Sequence, residues 1–336
     1  MTWATGVGSM PGDDAVGFRQ AQETVLGELP DLPHLVELPG RGIEAGMVGR
    51  ALALVTDLGI DLQPAGWRLT GEPGASGVDH RRARSLLAHD LDVLEELTQG
   101  YDGAFKVQVA GPWTLAATVE KPRGDKVLSD VGARRDLAQA LAEGVRQHVA
   151  ELRRRVAGAG RLVVQVDEPG LAGVLAGRVP TASGFGKHRT VHPPEASEAL
   201  GWVLDAVAGE GAEPWVHSCA PETPLDLVRG AGARGLVVDL DVVDAAGHDV
   251  LASILEGVDG GEVVAVGVVP STDPGSPPTA TQVAERVLRW LDVLGLDPDV
   301  AGDRLLVVPT CGLSGATPAW SRTALDLAVS AARALT

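Results

Sequence analysis

The 336-residue chain has only two cysteines, Cys219 and Cys311. Two are too few for a disulfide-built scaffold. The N-terminus, Met1-Thr2-Trp3-Ala4-Thr5, lacks the basic region and apolar core of an export signal. Reduced thiols in a cytoplasmic protein are therefore expected. No run approaches the roughly 18 apolar residues of a membrane span. Positive charge is scarce too: 28 Lys and Arg against 45 Asp and Glu give −17. Such a surface repels phosphate, so nucleic acid and anionic membrane are not expected partners. What the chain does have is aliphatic bulk. It is 45% hydrophobic, with only 3% aromatic and 22% charged residues. That suits a large buried core and argues against disorder.

Eight short apolar segments end in polar or turn residues: 3–9, 34–38, 105–110, 162–167, 215–218, 236–240, 263–269 and 305–310. Several are Val- and Leu-rich on both parities, as strands buried on two faces are. Helical spacing marks 127–156, 200–207, 224–230, 281–294 and 318–335. Pro318 at a start and Gly230 at an end fit helix boundaries. Eight strands alternating with helices predict a single-domain (β/α)8 TIM barrel over 1–336. The segment 66–71 reads as a hairpin. The Gly- and Pro-rich segment 169–194 reads as a mobile lid, with His188 and His192 as solvated loop residues. Arg153-Arg154-Arg155 reads as a solvated helix end.

In a barrel of this type, the C-terminal strand ends build the active site. Ser9, Glu37, Asp167, Glu168, His217, Cys219, Asp239, Asp241 and Cys311 all fall at or just beyond such ends. His217 and Cys219 stand two apart in a strand and face one side. Two readings fit them. One is a small buried thiol beside a satisfied imidazole. The other is a metal site with Cys311 as third ligand and a strand-six carboxylate as fourth. Sulfur and nitrogen donors with one oxygen favour Zn2+.

Five segments in order carry a family resemblance: Gly6-Val7-Gly8-Ser9-Met10-Pro11, Val109-Ala110-Gly111-Pro112, Gln165-Val166-Asp167-Glu168-Pro169, His217-Ser218-Cys219 and Pro309-Thr310-Cys311-Gly312-Leu313. Together they resemble the C-terminal catalytic barrel of cobalamin-independent methionine synthases. The wider superfamily includes uroporphyrinogen decarboxylases and coenzyme M methyltransferases. The resemblance implies zinc held by His217, Cys219, Cys311 and an acidic residue. Matching the apolar run 236–238 puts that residue on Asp239; counting on from Cys219 puts it on Asp241. Both face one way in an extended strand, and Asp239 is the assignment made. The resemblance further implies methyl transfer to homocysteine sulfur. Ser9 and Asp167 would receive the amino acid, Asp167 pairing with its ammonium, and Glu37 would be a second ammonium-facing carboxylate. Gly111-Pro112 reads as structural and Glu168 as a brace.

The chain also departs from the family. Nothing in it corresponds to the family's folate-binding N-terminal half. The family's pterin-facing aromatic falls near Thr118, with Trp113 in another register. The stretch 267–273 holds no His where the family has its proposed proton donor. A methylcorrinoid, free methylcobalamin or a corrinoid protein, is therefore the expected donor. The alternatives are a coenzyme M-like acceptor thiol, or a non-catalytic zinc- or thiol-binding barrel.

Overall fold

Val- and Leu-rich runs alternate with amphipathic stretches, and the computed structural model, which describes residues 2–72, 74–297 and 302–335, alternates strands with helices accordingly. The described strands are β1 (Trp3–Ala4), β2 (Ile60–Gln63), β3 (Gly66–Leu69), β4 (Ala104–Ala110), β5 (Arg161–Asp167), β6 (Glu213–Ser218), β7 (Gly235–Asp239), β8 (Val263–Val269) and β9 (Leu305–Pro309). The helices are α1 (Ala15–Glu28), α2 (Met47–Leu54), α3 (Val78–Leu97), α4 (Pro112–Thr118), α5 (Val131–Arg155), α6 (Leu171–Leu175), α7 (Pro193–Gly209), α8 (Leu225–Gly230), α9 (Leu240–Ala246), α10 (His248–Asp259), α11 (Ala280–Leu294) and α12 (Pro318–Ala334).

Seven strands form one parallel sheet in the order β1-β9-β8-β7-β6-β5-β4. β2 and β3 pair as an antiparallel hairpin that begins earlier than the one read over 66–71: that segment supplies only its second strand, β3. The fold is thus α/β with a curled parallel sheet. Segment 34–38 is not a ladder strand. It makes isolated parallel bridges, His34 to Lys106 on one side and Glu37 to Ser9 on the other. Leu35 N–H donates to Lys106 O at 2.9 Å, and Glu37 N–H donates to Gly8 O at 3.1 Å. Pro33 and Pro39 bracket the segment, and neither has an N–H to extend a ladder.

Helix boundaries follow local chemistry. The periodic stretch from Val127 breaks into a 3-10 turn, Val127–Ser129, and then α5. Asp130 causes the break, its carboxylate capping Ala133 N–H at 3.0 Å. α11 opens on a reciprocal Thr279–Gln282 capping box and closes on Gly295 at φ +69°. Two of the arginines read as a solvated helix end bind neighbours instead. Arg153 donates to Glu210 O at 2.8 Å, and Arg155 pairs with Asp92, Glu95 and Glu151.

The main core lies between sheet and helices. A second cluster fills the inside of the curl: Ala104, Val163, Trp215, Val237, Ala265 and Leu306. These are inward positions toward the strands' N-terminal ends. The same parity continues upward into polar residues, which sets the site at the other end.

Candidate metal and substrate site

Along β4 the inward residues run Ala104, Lys106, Gln108. Along β5 they run Val163, Gln165, Asp167, and along β6 Trp215, His217. The pleat therefore changes from apolar to polar as each strand nears its C-terminal end. A cavity of about 290 Å³ opens there. Ser9, Glu37, Asp167, His217, Cys219 and Cys311 all line it, drawn from five separate stretches of chain.

His217 Nδ1, carrying its proton, donates to Val237 O at 3.0 Å, which leaves Nε2 as the ring nitrogen facing Cys311. The donor atoms of His217, Cys219 and Cys311 lie within 4.8 Å of one another. The two sulfurs are 3.0 Å apart and unbonded. Hydrogen bonds from Cys219 and His217 push the Cys311 thiol down to about 4. Sharing that proton pushes Cys219 up. Burial pulls on His217, but Cys311 and Asp167 outweigh it and hold the imidazole above its usual value. Two soft sulfurs and a tautomer-fixed imidazole fit zinc.

Asp239 is not in that trio. It ends β7 as the cap of α9, accepting from Asp241 N–H at 2.9 Å. It lines an adjoining small pocket with Ser218 and Thr223. Its charge still reaches Cys219 and contributes to that thiol's high value. Asp241 is on the surface, paired with Arg286. Helix starts at Leu240, so the extended-strand parity that gave both carboxylates one face ends between them.

The rest of the cavity lining, beginning at Asp167 beside His217, carries buried charge. Asp167 Oδ1 accepts from Gln165 Nε2 at 2.7 Å. Burial pushes Asp167 up to about 7, with His217 opposing and Glu37 adding. Burial also raises Glu37, against the pull of Arg50. Arg50 lies 3.4 Å from Glu37 and 2.8 Å from Asp90, and Asp90 also takes a bidentate pair from Arg41 at 2.7 Å. Lys106 is fully buried at the base of this wall. Burial pulls it down to about 8, against Asp167 and Glu37. Lys106, Gln108, Gln165 and Arg50 were missed in the sequence reading. Lys106 and Gln108 alternate inside an otherwise apolar run, which is the available signal.

Glu168 is the expected brace. Its carboxylate accepts from Trp113 N–H and Thr114 N–H at 2.8 Å each and from Thr114 Oγ1 at 2.7 Å, capping α4. A Cβ on Gly111 would meet this carboxylate at 2.4 Å, which accounts for the glycine. Glu168→Ala would leave two N–H groups and a hydroxyl without partners. We expect a loss of about 2–3 kcal/mol by urea unfolding. An unchanged midpoint would contradict the bracing role.

Trp113 is buried, its Nε1 donating to Ala196 O at 2.9 Å, whereas Thr118 is exposed at the end of α4. Segment 169–194 contains α6 and a hairpin bridged at Pro180 and Lys187. His188, expected to be solvated, is 8% exposed and sits 3.2 Å from Asp125. Asp125 also takes Ala182 N–H at 3.2 Å and so clips the hairpin down over the imidazole. His192 starts α7 and is exposed, as read. Among the described residues no helix is long and apolar enough to cross a membrane.

Comparison with known proteins adds a family and a fold. The profile described as cobalamin-independent synthase, catalytic domain, matches residues 93–334. No curated protein matches the sequence. A B12-independent methionine synthase from Shewanella sp. W3-18-1, solved with selenomethionine, superposes with a TM-score of 0.61 at 15% identity, over 99% of this chain and 97% of that one. That identity speaks for the fold alone. An L-ribulose 3-epimerase covers 99% of this chain and 93% of its own at 14% identity, with a TM-score of 0.45, too distant to argue from.

Proposed function

The chain belongs to the family of the cobalamin-independent synthase catalytic domain, and from that premise we propose that it is a zinc-dependent methyltransferase making methionine from homocysteine. The observation that carries the reading is the convergence of His217, Cys219 and Cys311 on one cavity that Asp167, the register neighbour of His217, and Glu37 also line. Bound through His217, Cys219 and Cys311, zinc would supply Lewis acidity that keeps the acceptor sulfur as thiolate, since a free thiol near pKa 8.5 is mostly protonated at neutral pH. Asp239 is the proposed fourth ligand, a role that requires it to leave its cap on α9.

Asp167 and Glu37 take the substrate ammonium, and Ser9 takes the amino-acid backbone. Their work is positioning: they aim the sulfur at the methyl carbon. In the transfer, a sulfur–carbon bond forms and the donor keeps the electron pair of the bond that breaks. Methyl-tetrahydrofolate leaves well only when protonated, and no acid faces the cavity from 267–273. Asp273, the one carboxylate there, is bound by Thr317 N–H at 2.8 Å and Thr317 Oγ1 at 2.6 Å. Trp113 is sequestered as well. A methylcorrinoid donor, free or carried on a protein, suits this wall better.

We read 1–336 as one (β/α)8 domain, the bridges of segment 33–38 serving as the eighth stave. Two free thiols suit a cytoplasmic setting. A sulfonate thiol such as coenzyme M would leave Asp167 and Glu37 without a use, and a non-catalytic barrel would bind homocysteine without turnover. The test is a donor screen on protein of measured zinc content. We expect close to one zinc per chain and turnover of homocysteine with methylcobalamin but not with methyl-tetrahydrofolate. Absence of zinc would remove the reading; robust folate turnover would overturn the donor assignment.

A further inference from the structure

Lys106 is 0% exposed, in the middle of β4, at a point where the strand could have carried an aliphatic residue. An ammonium so placed is costly unless every proton is used. Its Nζ donates to Val7 O and to Gln165 Oε1, both at 2.9 Å. Gln165 in turn donates from Nε2 to Asp167 Oδ1 at 2.7 Å and to Val7 O at 2.9 Å. The chain of contacts therefore runs Lys106, Gln165, Asp167, across β4 and β5, ending in the cavity.

The middle link explains the first. A glutamine amide is nearly the same shape with its oxygen and nitrogen exchanged. Placed wrongly, Gln165 would present Oε1 to the Asp167 carboxylate, acceptor against acceptor. Lysine has donors and no acceptor, so only the oxygen of Gln165 can face it. The nitrogen must then face Asp167. A methionine would fill the same space at less desolvation cost, but it would not orient the amide.

The geometry points to Lys106 as a positioning residue for amino-acid specificity: through Gln165 it holds the Asp167 carboxylate in the orientation that receives the substrate ammonium. This rests on the reading of the cavity as an amino-thiol site. Lys106 touches no substrate; it acts through its neighbour.

The test compares L-homocysteine with 4-mercaptobutanoate, the same thiol without its amino group. Both are titrated into zinc-loaded parent, Lys106→Met and Lys106→Gln proteins. A charge-assisted hydrogen bond placed or lost changes affinity by about 10- to 150-fold. Lys106→Met is expected to lose at least about tenfold of the parent's preference for homocysteine, with 4-mercaptobutanoate binding little changed. In turnover the loss falls on KM rather than kcat. Lys106→Gln can still donate one N–H to Gln165 but also brings an acceptor, so it is expected to recover only part of the preference. With Asp167→Asn already present, Lys106→Met should cost nothing further in preference.

Equal loss for both thiols in either variant, or an unchanged preference in Lys106→Met, overturns the assignment. If Lys106→Met does not fold, Lys106→Leu, which also removes every donor, decides by the same two criteria. A parent protein that binds homocysteine no better than 4-mercaptobutanoate sinks the amino-thiol reading itself, and this role with it. Variants that fail where the parent discriminates sink only the role of Lys106.

Discussion

Cys311→Ser protein is expected to carry well under one zinc per chain and to transfer methyl groups at least about 10³-fold more slowly than the parent. The arithmetic starts from the thiol. With a pKa near 8.5, about 3% of a free thiol is ionised at pH 7, so losing the means to ionise it costs about 30-fold. The rest is lost alignment, which for a held pair of reactants is worth still more. Serine is the right replacement because it keeps the shape. Cys311 is only partly buried, and the hydroxyl leaves no cavity. Melting temperature should therefore stay close to that of the parent, separating loss of the site from loss of the fold. Zinc by elemental analysis and turnover by methionine formation are the two readouts. A serine variant with full zinc and full turnover would remove the central claim.

Asp167→Asn is expected to raise KM for homocysteine by about 10- to 150-fold, the value of one charged hydrogen bond. Asparagine keeps the volume and can still accept from Gln165, but it offers the ammonium no charge. Glu37 remains, which keeps binding measurable. The thiol end of the substrate is untouched, so 4-mercaptobutanoate should bind the variant as it binds the parent. Steady-state kinetics with both thiols check this. An Asn variant that still prefers homocysteine as strongly as the parent would show that the ammonium lies elsewhere.

Strand positions were readable because parallel strands buried on both faces are apolar on both parities, as β8 and β9 are. The His–Cys–Cys cluster was readable because His217 and Cys219 share a parity and the chain holds only one other cysteine. The placement of Asp239 and Asp241 was not, because periodicity is valid only while the chain stays extended. It turns helical at Leu240, between the two aspartates in question. Lys106 escaped for a related reason: a polar residue in an apolar run reads as an interruption until the inside of the sheet is known. The link from Glu37 through Arg50 to Asp90 and Arg41 joins residues from three separate stretches, and only packing brings those together. Glu168 was read as a brace, yet its partners Trp113 and Thr114 could not have been named. His188 was misjudged because a Gly-rich surround suggests solvent, whereas one turn at Asp125 folds the hairpin over it.

The attachment of segment 33–38 makes the cavity wall unequal in stiffness. β4 and β5 are laced along seven residue pairs, whereas the stave bearing Glu37 is tied at one bridge on either side. The sulfur-facing side chains of β6 and the β9 end thus stand on rigid ground. Glu37 stands on a pliant stave steadied by Arg50 rather than by neighbouring backbone. Any widening of this mouth would therefore be taken up at the Glu37 stave before the laced ladder from β4 to β9 has to move.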